Sequence, residues 1–452
     1  MKTFFTNETK SFYKMAFTLV MPMALQNLIN VGISSIDVLM LGKVSEAALS
    51  AASLAGQVQF IMVLIFFGLT SGAAVLTAQY WGKGDTKSIE KIMGICMRFS
   101  LIISILFTTA VLIFPRQIMT IFTFDTSVIE EGVKYLHIIA FSYILISITM
   151  IYLNVMRSVE RVIISTVVYM ISLVSNVIIA SVLIFGLFGM PEMGIRGAAI
   201  ATLSSRIIEL LIVVIYSVKY NKVLNFRPSL LFVKDKYLFK DFLVYSIPVM
   251  LNELMWGAGI AMNSVVIGHL GKSVISANSV AQVVRQLAMV IAFGLANATA
   301  ISVGKAIGEN NLKTARDYSR RFIKLSLLAG IGGSILVLIA RPITIALLDL
   351  TPLTKSYLST MMFIMSYYVI AQALTTTLVV GVFRAGGDTR FGLYLDVSTM
   401  WGGSILFGAL AAFIFKWSVP VVYIILMSDE IIKLIPTFLR YKSKKWLNNV
   451  TR

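Results

Sequence analysis

Gln26, Asn30, Ser34 and Asp37 fall at i, i+4, i+8 and i+11 of an apolar stretch, with Asn27 beside them, so a helix would present them as one polar stripe ending in a carboxylate. An ionisable group in such a stretch costs on the order of 2.5–3.5 kcal/mol on membrane-insertion scales, so it calls for a partner or a task. No base stands at helical spacing from Asp37 within its own stretch. A bound cation or a proton would compensate it, and desolvation would move the carboxyl toward neutrality, as a proton carrier requires. Lys43 follows closely, so a solvated helix end is the competing reading.

Other polar positions add to this pattern. Asn278, Gln282 and Arg285 repeat the spacing at i, i+4 and i+7, and Ser172, Ser175, Asn176, Gln372, Thr375 and Thr376 mark further stripes. Glu253 has two readings: a buried ion pair with Arg285, or a group that binds substrate or a proton. Arg206 and Glu209, at i, i+3, and Asp429 and Lys433, at i, i+4, suit local pairs. Asp396 has no such neighbour on its own helix, although Arg390 is nearby, and it stands as a secondary candidate.

The elements carrying these residues lie in lipid. Hydrophobic residues make up 58% of the chain and charged ones 13%, with a mean hydropathy of +0.87, too apolar to cover a water-facing surface. Twelve stretches exceed the ~18 residues a helical span needs: about 15–40, 49–79, 92–114, 133–156, 162–190, 194–216, 242–270, 274–304, 322–348, 357–383, 391–415 and 418–439. The expected fold class is therefore an all-α integral membrane protein with twelve transmembrane helices. The first span is too long for a signal peptide and carries Asp37, so it reads as a mature helix. Basic residues outside the spans divide roughly 27 to 8 in favour of one side, which places both termini in the cytoplasm of a cell membrane. The net charge of +18 is then mainly topological rather than a nucleic-acid footprint. A single cysteine, Cys96, and two distant histidines, His137 and His269, supply no disulfide, local metal motif or nucleophile–base pair, which argues against an enzyme and a metal cofactor.

The chain also contains itself twice. The segment from Pro22 to Lys87 aligns without a gap on Pro248 to Lys313, an offset of 226 residues, and the matches include Gly42 with Gly268, Gly68 with Gly294 and Gly82 with Gly308. This predicts two pseudo-symmetric six-helix bundles: an N-terminal lobe, 1–218, a cytoplasmic linker and hinge, 219–240, and a C-terminal lobe, 241–452. An even number of spans per lobe makes the repeats parallel, with a cleft between them for alternating access. At this offset Asn27 meets Glu253 and Asp37 meets Asn263, so each half has one acid and one amide in exchanged places. Ten residues of helix separate the two acid levels by roughly 15 Å, too far to share one ion.

The chain resembles multidrug and toxic compound extrusion (MATE) transporters over essentially its whole length. The resemblance rests on Pro22, Asp37 and Leu41-Gly42; on Ala78-Gln79-Tyr80-Trp81-Gly82; on the run from Gly194 to Thr202; and on Phe383-Arg384-Ala385-Gly386-Gly387-Asp388-Thr389 after the tenth span, where Asp388 could cap the next helix. It implies a secondary active exporter of amphipathic, often cationic organic compounds, coupled to inward H⁺ or Na⁺ and working as a bacterial membrane monomer without a cofactor. It makes Asp37 and Asn176 the ion-coupling residues and Pro22 a bend in the first span. The substrate cavity is expected from Gln26, Asn30, Ser34, Glu253, Asn278, Gln282 and Arg285. Departures accompany these matches: Ala180, Ala373 and Trp256 stand where branches of the family carry acids. A lipid-linked oligosaccharide flippase would share the bundle, but its large anionic substrate calls for a cavity rich in Arg and Lys. Here the central charges are Asp37, Glu253 and one comparable base, Arg285.

Overall fold

The computed structural model describes the backbone of residues 7–348 and 350–452; the side chains of residues 7, 8, 33–35, 37 and 38 lie outside the described residues. The first part of the chain folds into α1 (Asn7–Gly42), α2 (Glu46–Lys83), α3 (Thr86–Ile113), a short α4 (Pro115–Phe122), α5 (Thr126–Ser158), α6 (Val162–Phe185) and α7 (Gly194–Ile215). The second part folds into α8 (Lys236–Gly268), α9 (Lys272–Gly308), α10 (Leu312–Leu347), α11 (Pro352–Thr376), α12 (Thr389–Asp396), α13 (Leu406–Ala409), α14 (Val419–Leu426) and α15 (Asp429–Lys442). Eleven helices among the described residues are long and apolar enough to cross a membrane. The twelfth crossing is interrupted: α14 and α15 are separated at Met427 and Ser428, and neither is long enough alone. The tenth and eleventh crossings change register instead, with π-helical segments at Thr377–Phe383, Val397–Ile405 and Leu410–Ile414.

The duplication visible in the sequence recurs in the helix boundaries. α1 ends at Gly42 and α8 at Gly268; α3 starts at Thr86 and α10 at Leu312, each equivalent at the 226-residue offset. The capping residues correspond as well. Asp85 accepts from the Ser88 N–H at 3.0 Å and Asn311 from the Thr314 N–H at 3.1 Å, each satisfying an end donor of the helix it opens.

Two compact units share the chain: residues 1–27, 74–84 and 247–452 form one, residues 28–73 and 85–246 the other. The start of the first helix of each repeat thus belongs with the other repeat. In the first unit Phe12 packs on Phe322 with ring centroids 5.0 Å apart, and Gly294 gives room for the α1 backbone at Val20 and Ala24. In the second, Phe242 stacks on Phe99 at 5.7 Å, and Gly72 gives room for Ser246.

Within the first unit the ends of α2 and α9 touch by backbone. A Cβ added at Gly82 would lie 2.0 Å from the Lys305 carbonyl oxygen, and one at Gly308 would lie 1.9 Å from that of Gln79. Gln79 and Lys305 are themselves repeat equivalents, so the contact is reciprocal, the mark of a twofold relation. Neither glycine can therefore accept a side chain without separating the helices. Gly82→Val is expected to lower stability by about 1–3 kcal/mol, read as a lower melting temperature of the detergent-solubilised protein. An unchanged melting temperature would show that this contact is loose.

The same place is closed by the last residues. Gln79 donates from Nε2 to the carbonyls of Ala385, at 2.7 Å, and Asn448, at 3.1 Å, while its Oε1 accepts from the Val450 N–H at 2.8 Å. Trp446 is buried, stacks on Tyr441 and passes over Gly386, where no Cβ would fit. The Ala-Gln-Tyr-Trp-Gly and Arg-Ala-Gly-Gly-Asp segments thus meet at one strap.

The linker is docked rather than free. Pro228–Phe232 forms a 3₁₀ turn against α3, where Gly94 leaves room for the Leu230 carbonyl. Arg98 donates to the Val233 carbonyl at 2.8 Å, and Lys91 pairs with Asp235 at 3.0 Å. α8 begins at Lys236, inside the stretch read from sequence as connection. The hydrogen bond from Lys91 holds the Asp235 carboxyl below the ordinary aspartate range of roughly 4. A lowered carboxyl stabilises the docked form above its unfolded pKa, and that stabilisation disappears as pH falls through the folded value. A spin label at the exposed Ser229 should therefore stay immobile at neutral pH and gain mobility below about pH 4. Asp235→Asn should make it mobile throughout; a label immobile in both proteins would mean that the pair does not hold the linker.

Candidate functional site

In the second unit α6 and α7 pack against one another and bring Asn176 to Thr202. Asn176 is 3% exposed, and its Nδ2 donates to Thr202 Oγ1 at 3.4 Å, while its Oδ1 is buried with no partner. A buried amide oxygen left open is costly unless something else binds it, and it can accept from a proton carrier or coordinate a small cation. Thr202 closes the Gly194–Thr202 run and was not singled out from sequence. Asp37 lies on the same unit's portion of α1, but its side chain and that of Ser34 lie outside the described residues. α1 continues through Pro22, which contributes no N–H to the helical ladder. Gln26 is buried and Asn30 exposed. Arg206 pairs with Glu209 at 2.6 Å as the i, i+3 spacing suggests.

In the first unit the partner of Glu253 is Arg384, not Arg285. Arg384 Nη2 donates to Glu253 Oε1 at 2.7 Å, with the side chains 5% and 11% exposed. Of the two readings of Glu253, the one that pairs it with Arg285 is thereby corrected: the partner is Arg384. Arg285 is consumed by amides, donating from Nε to Gln282 Oε1 at 2.7 Å and from Nη1 to Gln372 Oε1 at 3.0 Å. Gln282 in turn donates to Asn278, which also accepts from the Tyr423 hydroxyl at 3.2 Å. The stripe on α9 is thus one continuous hydrogen-bonded line from Tyr423 to Gln372. The amides exchanged with the two acids stay partly open: Asn27 keeps a buried Nδ2 and Asn263 a buried Oδ1 without a partner.

Asp396 also has a partner that its own helix does not show. Lys433 on α15 reaches it at 2.8 Å, in addition to Asp429 at 3.3 Å and Glu430 at 3.0 Å. Arg390 is therefore not needed as its neighbour. Asp388 departs from expectation as well: it stands at the N-cap of α12 but caps nothing, because Arg440 donates to both its oxygens, at 2.7 and 3.0 Å. A bidentate guanidinium outcompetes a backbone N–H.

Eleven helices long enough to cross a membrane among the described residues, an interrupted pair after them and buried polar lines along several of them describe an integral membrane protein. The MatE family model matches residues 22–182 and again 248–406, so both matches begin at the repeat-equivalent prolines. The chain belongs to the MatE family of transporters, an all-α membrane fold of twelve transmembrane helices in two pseudo-symmetric six-helix bundles. Among its relatives, the probable multidrug resistance protein NorM of Rhizobium meliloti is 26% identical over 74% of this chain and 71% of its own. The uncharacterized transporter YisQ of Bacillus subtilis is 19% identical over 95% and 94%. The structure of a mutant of the Vibrio cholerae MATE transporter VcmN superposes with a TM-score of 0.88 over 98% of this chain and 100% of that one, at 16% identity.

Proposed function

We propose that the protein exports small amphipathic, often cationic organic compounds across the cytoplasmic membrane, driven by inward H⁺ or Na⁺ through alternating access. It would act as a monomer with both termini in the cytoplasm, its lobes 1–218 and 241–452 exposing the site to each side in turn. Asp37 and Asn176 are the ion-coupling residues in this reading. Gln26, Asn30, Ser34, Glu253, Asn278, Gln282 and Arg285 face the substrate path, and no cofactor takes part.

The observation that carries this reading is the state of four buried or part-buried bases. Arg384 is held by Glu253, Lys433 by three carboxylates, Arg206 by Glu209 and Arg285 by two glutamines. An anionic lipid-linked substrate would need bases offered to it, whereas here carboxylates already neutralise most of them. The test is transport of tetraphenylphosphonium by proteoliposomes under an imposed pH gradient, then under a sodium gradient. Gradient-driven movement of the cation is expected; transport of a lipid-linked sugar with none of the cation would favour the flippase.

A further inference from the structure

Past α15 the chain turns back and joins one repeat to the other. Lys444 takes the left-handed conformation, φ +58°, that ends the helix, and the Leu447 N–H bonds back to the Lys444 carbonyl at 3.1 Å. Trp446 then enters the core of the second repeat, in one buried cluster with Val303, Ile307 and Phe383. Its indole N–H donates to the Tyr441 carbonyl at 3.2 Å, and its own carbonyl sits where a Cβ at Gly386 would lie 1.6 Å away. Asn449 adds bonds to the Ile307 carbonyl at 3.2 Å and to Asn310 Oδ1 at 2.6 Å. A buried tryptophan on a close backbone seat is costly to withdraw, so this part of the strap stays with the second repeat.

The residues on either side of Asn449 hold the first repeat, and by a different kind of contact. Gln79, near the end of α2, has both amide N–H groups and its carbonyl oxygen engaged, two of the three bonds being to the strap backbone at the Asn448 carbonyl and the Val450 N–H. Next to it the Tyr80 hydroxyl accepts from the Arg452 N–H at 3.4 Å, and Lys83 donates to the Arg452 carbonyl. These bonds exchange for water at small net cost, unlike the burial of Trp446. Gln79 lies one turn before Gly82, whose backbone contact with α9 shuts this end of the molecule. Alternating access requires the two repeats to part here, and they cannot do so while the strap holds Gln79. The internal duplication does not account for this crossing. At the 226-residue offset, 443–452 corresponds to 217–226, and that segment bonds within its own repeat: Asn221 donates to the Tyr152 hydroxyl at 2.8 Å and the Asn225 N–H to Glu90 at 2.6 Å.

We propose that residues 443–452 form a latch. Trp446 is its anchor on the second repeat, and the backbone from Asn448 to Val450 is a clasp that closes on Gln79 of the first. The latch holds this end of the transporter shut at rest and releases Gln79 once in each cycle, when the end opens. The proposal rests on the alternating-access reading and adds to it a restraint present in only one of the two repeats.

The test is the distance between spin labels at Lys87 and Lys313, the exposed repeat-equivalent second residues of α3 and α10, measured by pulsed electron resonance on the full chain in lipid nanodiscs. The single native cysteine, Cys96, is buried, so labels attach at the introduced sites. The parent should show mainly the shorter of two distances. Val450→Pro removes the N–H that Gln79 accepts and should raise the ratio of long to short distance roughly fivefold, the factor for one hydrogen bond of ordinary net worth. A chain stopped after Leu447, which keeps the anchor and loses the clasp, should raise it roughly tenfold or more. Asn448→Ala should leave it unchanged, because Asn448 offers Gln79 only its backbone carbonyl and its side chain reaches the Lys445 carbonyl. Two results would overturn the proposal: a distance distribution that neither Val450→Pro nor the shortened chain alters, or one that Asn448→Ala shifts as far as Val450→Pro does. All three changes lie beyond Trp446, so failure of one variant to fold leaves the others to decide. No substrate or gradient is used, so a failed tetraphenylphosphonium assay and an unaltered distance are separate outcomes.

Discussion

Arg384→Met is expected to cost on the order of 3–5 kcal/mol, because it leaves Glu253 buried beside an apolar side chain. The melting temperature in detergent should fall sharply, and expression with it. Glu253→Gln added to the same protein should recover most of the loss, since the uncompensated charge is then gone; the double-mutant cycle isolates that term. Arg285→Met provides the contrast. Among the described residues its guanidinium bonds only to Gln282 and Gln372, so its loss removes hydrogen bonds without stranding a carboxylate. A smaller effect of about 1–3 kcal/mol is expected there. Equal losses in the two single mutants would contradict the assignment of Arg384 as the partner.

The second large effect is functional. Asp37→Asn keeps the hydrogen-bonding shape of the side chain but fixes it neutral, so the protein should fold, bind tetraphenylphosphonium and lose gradient-driven transport. Under the reading in which Asp37 titrates as it crosses between lobe arrangements, the charge change in a partly dry site supplies the driving difference. Parent and mutant should be compared in the same liposomes for binding and for transport under an imposed gradient. Export at the parent rate by Asp37→Asn would restore the reading of a solvated helix end and move coupling elsewhere.

Much of the fold could be read from the sequence because membranes constrain it so strongly. Apolar length marks the spans, and glycine placement revealed the repeat, since Gly82 and Gly308 are fixed by backbone contact rather than by hydrophobicity. The twelfth crossing shows the limit: hydropathy averages over Met427 and Ser428 and cannot register the break that sets Asp429 at a helix start. Ion partners were legible only when they shared a helix. Arg206 with Glu209 and Asp429 with Lys433 follow from spacing, whereas Glu253 with Arg384 and Asp396 with Lys433 join different elements, and no periodicity reports which faces meet. Arg384 was read only as part of a glycine-containing turn, and its burial at the end of a π segment gave no sequence signal. The strap through Trp446 was missed for a related reason: its polar composition reads as a solvated tail, and only the closure on Gln79 and Gly386 shows otherwise.

The central claim is that movement of an organic cation outward is tied to movement of an ion inward. It is tested most directly by recording both fluxes at once in proteoliposomes, with tetraphenylphosphonium followed by a selective electrode and lumenal pH or sodium by an entrapped dye. The expected result is that an imposed gradient of one of the two ions drives the organic cation the opposite way, that this ion moves in step with it, and that Asp37→Asn abolishes both fluxes. Tetraphenylphosphonium movement at an unchanged rate with both gradients collapsed, and with no accompanying ion flux, would contradict it.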